Sequence, residues 1–200
     1  MTTRERLDEI VASKNLLNHP FYQAWSAGTL PVSALKTYAE EYGAFIQTIG
    51  AGWAAHGDTD LQIEENEHAQ MWNDGFARAL GTEITGAKIA EVKNLVSAAN
   101  KAFSDATTSM GGLYAFEAQQ PHTSTSKLEG LEAHYPQIDK SAHPYFAIHC
   151  NDVIEMEILA ERIAALPQAE QERAVSACRE VADALWDALS GICHVHEISC

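Results

Sequence analysis

The chain has 200 residues, 46% of them hydrophobic, and carries 13 Lys and Arg against 28 Asp and Glu, a formal net charge of −15 at pH 7. That length fits one domain with a sizeable core. The charge argues against partnership with nucleic acid or an anionic membrane surface, and no apolar run approaches a membrane span.

Helical periodicity dominates and strand alternation is nearly absent. Leu7, Ile10, Val11 and Leu17 mark one side of a first helix over about 4–17, which His19-Pro20 breaks. A short turn of helix runs on to about Gly28. A second long helix is predicted from near Pro31, with Leu35, Tyr38, Tyr42, Phe45, Ile49 and Trp53 at steps of three and four, ending near Gly57. Asp58 or Thr59 is placed to cap a third, which stops at Gly81. Further helices are predicted over about 86–106, 109–120, 123–134 and 145–166, and a last over about 168–192. The expectation is a single all-α domain over 1–200, a compact bundle of seven or eight helices with about 193–200 as a mobile tail.

Cys150, Cys178, Cys193 and Cys200 form no CxxC pair and are expected as reduced thiols. The charged N-terminal MTTRERLDEIVASK lacks the apolar core of a signal peptide, so the expected location is cytoplasmic.

Three clusters could carry chemistry. In Glu64-Glu65-Asn66-Glu67-His68, both Glu64 and Glu65 lie one helical turn from His68. A carboxylate and an imidazole so spaced can bind one metal, although a solvated face gives the same pattern. Glu117 sits among small and apolar residues, where an ionised carboxylate is costly without a partner; an exposed acid near a helix end is the alternative. His149, Asp152 and Glu155 step by three along an apolar segment with Ile148, Ile154 and Ile158. Such a mixed nitrogen and oxygen set suits iron or manganese. The clusters contain no Lys or Arg, which weakens a reading as buried salt bridges. Cys193, His194, His196, Glu197 and Cys200 look like ligands but fall in the expected tail.

The stretch His19-Pro20-Phe21-Tyr22-Gln23-Ala24-Trp25 with Gly28, Leu30, Leu35, Tyr38 and Tyr42 resembles the opening of the TenA/PqqC-like proteins. Glu64-Glu65-Asn66, His68 with Trp72, Leu113-Tyr114-x-x-Glu117-x-Gln119-x-Pro121, Lys127 with Gly130-Leu131, and Tyr145-Phe146-x-x-His149 with Asp152 extend the match over nearly the whole chain. Within the family it looks most like the CADD-type 4-aminobenzoate synthases. The resemblance implies a heme-oxygenase-like bundle without heme, holding two non-heme metal ions, Fe and/or Mn, with dioxygen and a reductant as co-substrates. The implied product is 4-aminobenzoate for folate synthesis. By position, the sacrificed tyrosine is Tyr22, with Tyr38 a nearby redox-active tyrosine and Lys127 the amino donor; the metal ligands are Glu64, His68, Glu117, His149 and Asp152, with Glu155 able to join.

The chain departs from that pattern in two places. The family separates its first Glu and His by six residues, where Glu64 and His68 are separated by three. The family's His-x-x-x-Asp-x-x-His reads here as His149-x-x-Asp152-x-x-Glu155, one residue shorter and with Glu for the last His. By ordinary packing statistics Tyr22 and Tyr38 read as core aromatics and Lys127 as a surface lysine. Oxidation of an external small amino acid or fatty acid, and a metal-free binding protein on the same scaffold, are the alternatives to self-cleavage. A TenA-type thiaminase is disfavoured, because no cysteine lies in the sixth helix region. Heme-oxygenase-like relatives often form dimers, so a homodimer is the expectation.

Overall fold

A computed structural model describes residues 1–199, all helix and connection with no strand among the described residues. Helix α1 (Thr3–Ser13) opens with a capping box in which Thr2 and Glu5 satisfy each other's backbone N–H groups. The short α2 (Pro20–Ser26) carries Pro at its start and is capped by the His19 ring; it stops at Gly28, whose φ of +69° suits glycine.

The long helix expected over 31–57 divides into α3 (Val32–Ile46) and α4 (Ile49–Ala55). The Thr48 hydroxyl donates to the Phe45 carbonyl at the joint, a local bond that competes with the helix ladder. Helix α5 (Thr59–Met71) is capped by Asp58 and continues through a π-helical turn, Trp72–Ala77. The next helix, α6 (Ala90–Ala102), starts later than its periodicity suggests. The buried Glu41 carboxylate accepts the backbone N–H groups of Lys88 and Ile89 at 2.9–3.1 Å, which fixes the approach to α6.

Helices α7 (Ala106–Glu117) and α8 (Gln120–His134) follow, the first capped by Asp105. The helix expected over 145–166 is two, α9 (Pro144–His149) and α10 (Ile154–Ala164), separated by an irregular Cys150–Val153. The last, α11 (Gln168–Val195), runs three residues past its expected end. Cys193 is wholly buried, and the His196 ring lies 2.8 Å from the Thr37 hydroxyl, so this stretch is docked on the bundle. Cys150 and Cys178 are free thiols, whereas Cys193 is disulfide-bonded, contrary to the expectation for that residue. Cys200 lies outside the described residues.

Helix α7 runs through the middle, packed against α11, α10 and α4. At Gly111 the α11 backbone at Ala174 leaves no room for a Cβ, so these two helices approach as closely as two backbones can. Buried Leu113, Tyr114, Leu185 and Leu189 fill this core. Among the described residues no helix is long and apolar enough to cross a membrane.

Candidate active site

Four helices bring carboxylates and imidazoles to one buried place. Glu65 and His68 come from α5, Glu117 from the end of α7, His149 from the end of α9 and Glu155 from the start of α10. Their exposures run from 1% for His149 to 7% for His68. The ligand atoms of Glu65, His68 and His149 lie within 4.8 Å of one another, as do those of Glu65, Glu117 and Glu155. Glu65 belongs to both groups, so one carboxylate joins two potential cation positions.

The free valences fit metal ions. His149 Nδ1–H donates to the Tyr145 carbonyl at 2.6 Å, which leaves Nε2 as the nitrogen free to bind a cation. That Nε2, Glu117 Oε1 and Glu155 Oε1 are buried without a hydrogen-bond partner, a costly arrangement unless a cation supplies the missing interaction. Among the described residues neither Glu65, Glu117 nor Glu155 forms an ion pair with Lys or Arg. Burial, then the charges of Glu155 and Glu65, pushes the Glu117 carboxyl far above the carboxylate range. Burial and the Glu65 and Asp152 charges push Glu155 up to about 9. Burial lowers His149. At His68 burial acts the same way, but the 2.9 Å hydrogen bond to Glu65 and the surrounding carboxylates outweigh it and raise the pKa.

Two residues expected as ligands stand outside both groups. The Glu64 side chain is 53% exposed, with Oε1 3.9 Å from His68 Nε2. Glu65, one position on, points into the bundle and takes the inner place; its three-residue spacing to His68 was the available signal. Asp152 is half-buried in the irregular segment between α9 and α10, and the break there means that His149, Asp152 and Glu155 do not share one helix. His68, Glu117, His149 and Glu155 are buried together in these two groups.

A second constellation lies beyond a wall of rings. Tyr22 on α2 and Tyr38 on α3 face each other with hydroxyl oxygens 2.7 Å apart, both buried. Lys127 on α8 is 3% exposed, not a surface residue. Its Nζ lies 5.4 Å from the Tyr22 ring centroid and 5.2 Å from that of Phe146. Burial lowers its pKa to about 7. Tilted and edge-on rings link the two places: His149 to Tyr145 at 4.5 Å between centroids, Tyr145 to Trp72 at 4.9 Å, and Trp72 to Tyr38 at 5.6 Å. Gln120 Nε2 donates to the Tyr145 hydroxyl at 3.1 Å, and Trp72 Nε1 to the Ala39 carbonyl at 2.8 Å, so both rings are held in place. Tyr145, Trp72 and Gln120 were not singled out as site residues, because aromatic residues at helical spacing read simply as core.

Comparison with known proteins identifies the family and the fold. Residues 5–99 match the TENA/THI-4/PQQC family model. A protein of Nitrosomonas europaea named 4-aminobenzoate synthase is 30% identical, the match covering 100% of this chain and 93% of that protein. Another of that name from Chlamydia muridarum is 26% identical over 98% of this chain and 95% of its own length. Among solved structures, a TenA homolog from Pseudomonas syringae superposes with a TM-score of 0.76 at 13% identity, covering 96% of this chain and 93% of that one. A CADD-like protein of unknown function from Nostoc punctiforme gives 0.69 at 16% identity, covering 96% and 94%.

Proposed function

The chain belongs to the TENA/THI-4/PQQC family, and on that premise we propose that it is an oxygen-dependent dimetal oxidase that makes 4-aminobenzoate by cleaving its own Tyr22. The observation that carries this reading is the buried Lys127 amine beside the Tyr22 ring, with the Tyr22 hydroxyl bonded to that of Tyr38. The Tyr22 ring with its Cβ and a nitrogen donor, the sources of an aminobenzoate's ring, carboxyl carbon and amine, thus sit together away from water. Relatives named 4-aminobenzoate synthase match over the whole chain, which supports the same reading.

Glu65, His68 and His149 would hold one metal ion and Glu65, Glu117 and Glu155 the other. Iron or manganese suits this donor set and, when bound, supplies oxidising power drawn from dioxygen and a reductant. The remaining roles belong to side chains of the chain itself. Burial raises the pKa of both phenols, so Tyr22 and Tyr38 keep their protons at neutral pH, and loss of an electron from either requires loss of a proton as well. Tyr38 Oη, 2.7 Å from Tyr22 Oη, is placed to pass or receive that proton. Lys127, with its pKa near 7, presents a large fraction of neutral amine, the form able to give up nitrogen to carbon. Phe21, Trp25 and Phe146 close around the pair and exclude water.

Consumption of a residue of the chain limits each molecule to about one turnover. Reconstitution with iron or manganese, reductant and dioxygen tests the proposal, since 4-aminobenzoate should form with no aromatic precursor added. Repeated turnover that depends on an added amino acid or fatty acid would instead assign the site an external substrate.

A further inference from the structure

Two rings, Tyr145 and Trp72, stand between the ligand groups and the tyrosine pair. Tyr145 lies 4.5 Å from the His149 ring and 4.9 Å from Trp72, and Trp72 lies 5.6 Å from Tyr38. We infer that Trp72 is an electron relay through which the tyrosine pair is oxidised from the metal end. The inference rests on the self-cleavage proposed above and names the residue that joins its two halves.

Among the described residues Trp72 is the readily oxidised ring in contact with both Tyr145 and Tyr38. Phe146 also packs on Tyr145, but a phenyl ring is far harder to oxidise than an indole. Trp72 is wholly buried and opens the π-helical turn that follows the helix of Glu65 and His68; such turns are frequent at functional sites. Helix α3 is shaped to the indole. Its Ala39 carbonyl accepts the Nε1–H at 2.8 Å, and at Gly43, one turn on, a Cβ would come within 2.7 Å of Nε1. A backbone carbonyl is too weak a base to take the indole proton, so Trp72 gives and recovers an electron while keeping its proton. The phenols behave differently, since each must shed a proton with its electron. For each electron that crosses Trp72, the pair joined by the 2.7 Å hydrogen bond loses one proton. The neutral Lys127 amine beside the Tyr22 ring is the base that takes it, and dioxygen at the metal end is the electron acceptor. Trp72 ends as it began.

The test needs no metal. Cys150, a half-buried free thiol next to His149, is labelled with a ruthenium photo-oxidant in the metal-free full chain; Cys178, also free, is buried. A flash with an external quencher then creates a one-electron oxidant at that end. Tyrosyl radical is followed by transient absorbance, and subtracting the signal of a Tyr22→Phe, Tyr38→Phe double variant isolates the pair. Wild type is compared with Trp72→Phe, Trp72→Tyr and Trp53→Phe, the last a buried tryptophan whose ring neighbour is His56. Oxidation of the pair should be slower by an order of magnitude or more in Trp72→Phe. Trp72→Tyr should recover most of the rate, because a phenol can be oxidised in turn. A role in packing alone predicts the reverse order, since the two rings share a shape and the buried hydroxyl is the costlier. Trp53→Phe should match wild type. Equal rates in wild type and Trp72→Phe would overturn the inference, and so would Trp72→Phe outpacing Trp72→Tyr. If Trp72→Phe does not fold, fluorotryptophan at all four tryptophans decides, because it keeps the indole shape and is harder to oxidise: a slower rate supports the relay and an unchanged one overturns it. In the metal-loaded chain 4-aminobenzoate should follow the same order. A wild type that passes the flash test yet forms no product removes the self-cleavage reading and leaves the relay standing.

Discussion

The hydroxyl oxygens of Tyr22 and Tyr38 lie 2.7 Å apart, in a space where neither ring touches water. Each hydroxyl is the other's hydrogen-bond partner, so the two side chains act as a unit. Tyr38→Phe should leave the buried Tyr22 hydroxyl unsatisfied and destabilise the fold by about 1–3 kcal/mol. It should also slow 4-aminobenzoate formation by an order of magnitude or more, while metal content stays at the wild-type level. Urea unfolding and product assay on the same preparation separate the two effects.

Lys127 is the residue where stability and activity should move in opposite directions. Its pKa near 7 in the fold, against 10.5 in the unfolded chain, means that the unfolded state binds more protons between those values. Stability contributed through Lys127 therefore rises with pH from about 7 to 10.5 and is lowest below pH 7. Lys127→Met should relieve that penalty, on the order of 4 kcal/mol at pH 7, and flatten this part of the pH–stability curve. The same variant should form no 4-aminobenzoate. Thermal unfolding across pH, beside a product assay, checks both.

The shared position of Glu65 predicts an unequal response to neutralising the acids. Glu65→Gln should reduce binding at both cation positions, whereas Glu155→Gln should reduce it at one. Metal analysis after reconstitution distinguishes them. In the metal-free protein, Glu155→Gln should be neutral or stabilising at pH 7, because it removes one of several buried carboxyls that crowd each other.

Metal binding should release protons at neutral pH. Glu155 is raised to about 9, Glu117 well above the carboxylate range and His68 above its usual value, and a cation must displace those protons. Affinity should therefore climb steeply from pH 6 to 8. Calorimetric titrations in buffers of different ionisation enthalpy count the protons; a count near zero at pH 7 would contradict the assignment of these groups as ligands.

How much of this was legible in the sequence differs from residue to residue. The helices follow from periodicity and end signals such as Gly28 and Gly81, because apolar spacing is local. The breaks at Gln47–Thr48 and Cys150–Val153 carry no Pro or Gly, and the Thr48 hydroxyl bond to the Phe45 carbonyl at the first is not announced by apolar periodicity, so neither break is legible in the sequence. The second break lets Glu155 join Glu65 and Glu117 while His149 joins Glu65 and His68, a convergence that spacing along one helix only approximates. Glu64 and Glu65 are both one turn from His68, and only the bundle decides which of them faces inward. Lys127 lies among Ser, Thr and Glu in sequence, yet the packing of α2 and α9 against α8 buries it; the family resemblance, and not composition, singled it out.

The central claim is that Tyr22 is the substrate. Intact-mass and peptide mass spectrometry on the iron- or manganese-loaded chain, before and after reaction with reductant and dioxygen, tests it most directly. The account predicts mass loss at residue 22 in step with the 4-aminobenzoate released, and neither change in Tyr22→Phe. Product formed at full yield from a chain whose Tyr22 peptide stays intact would contradict it.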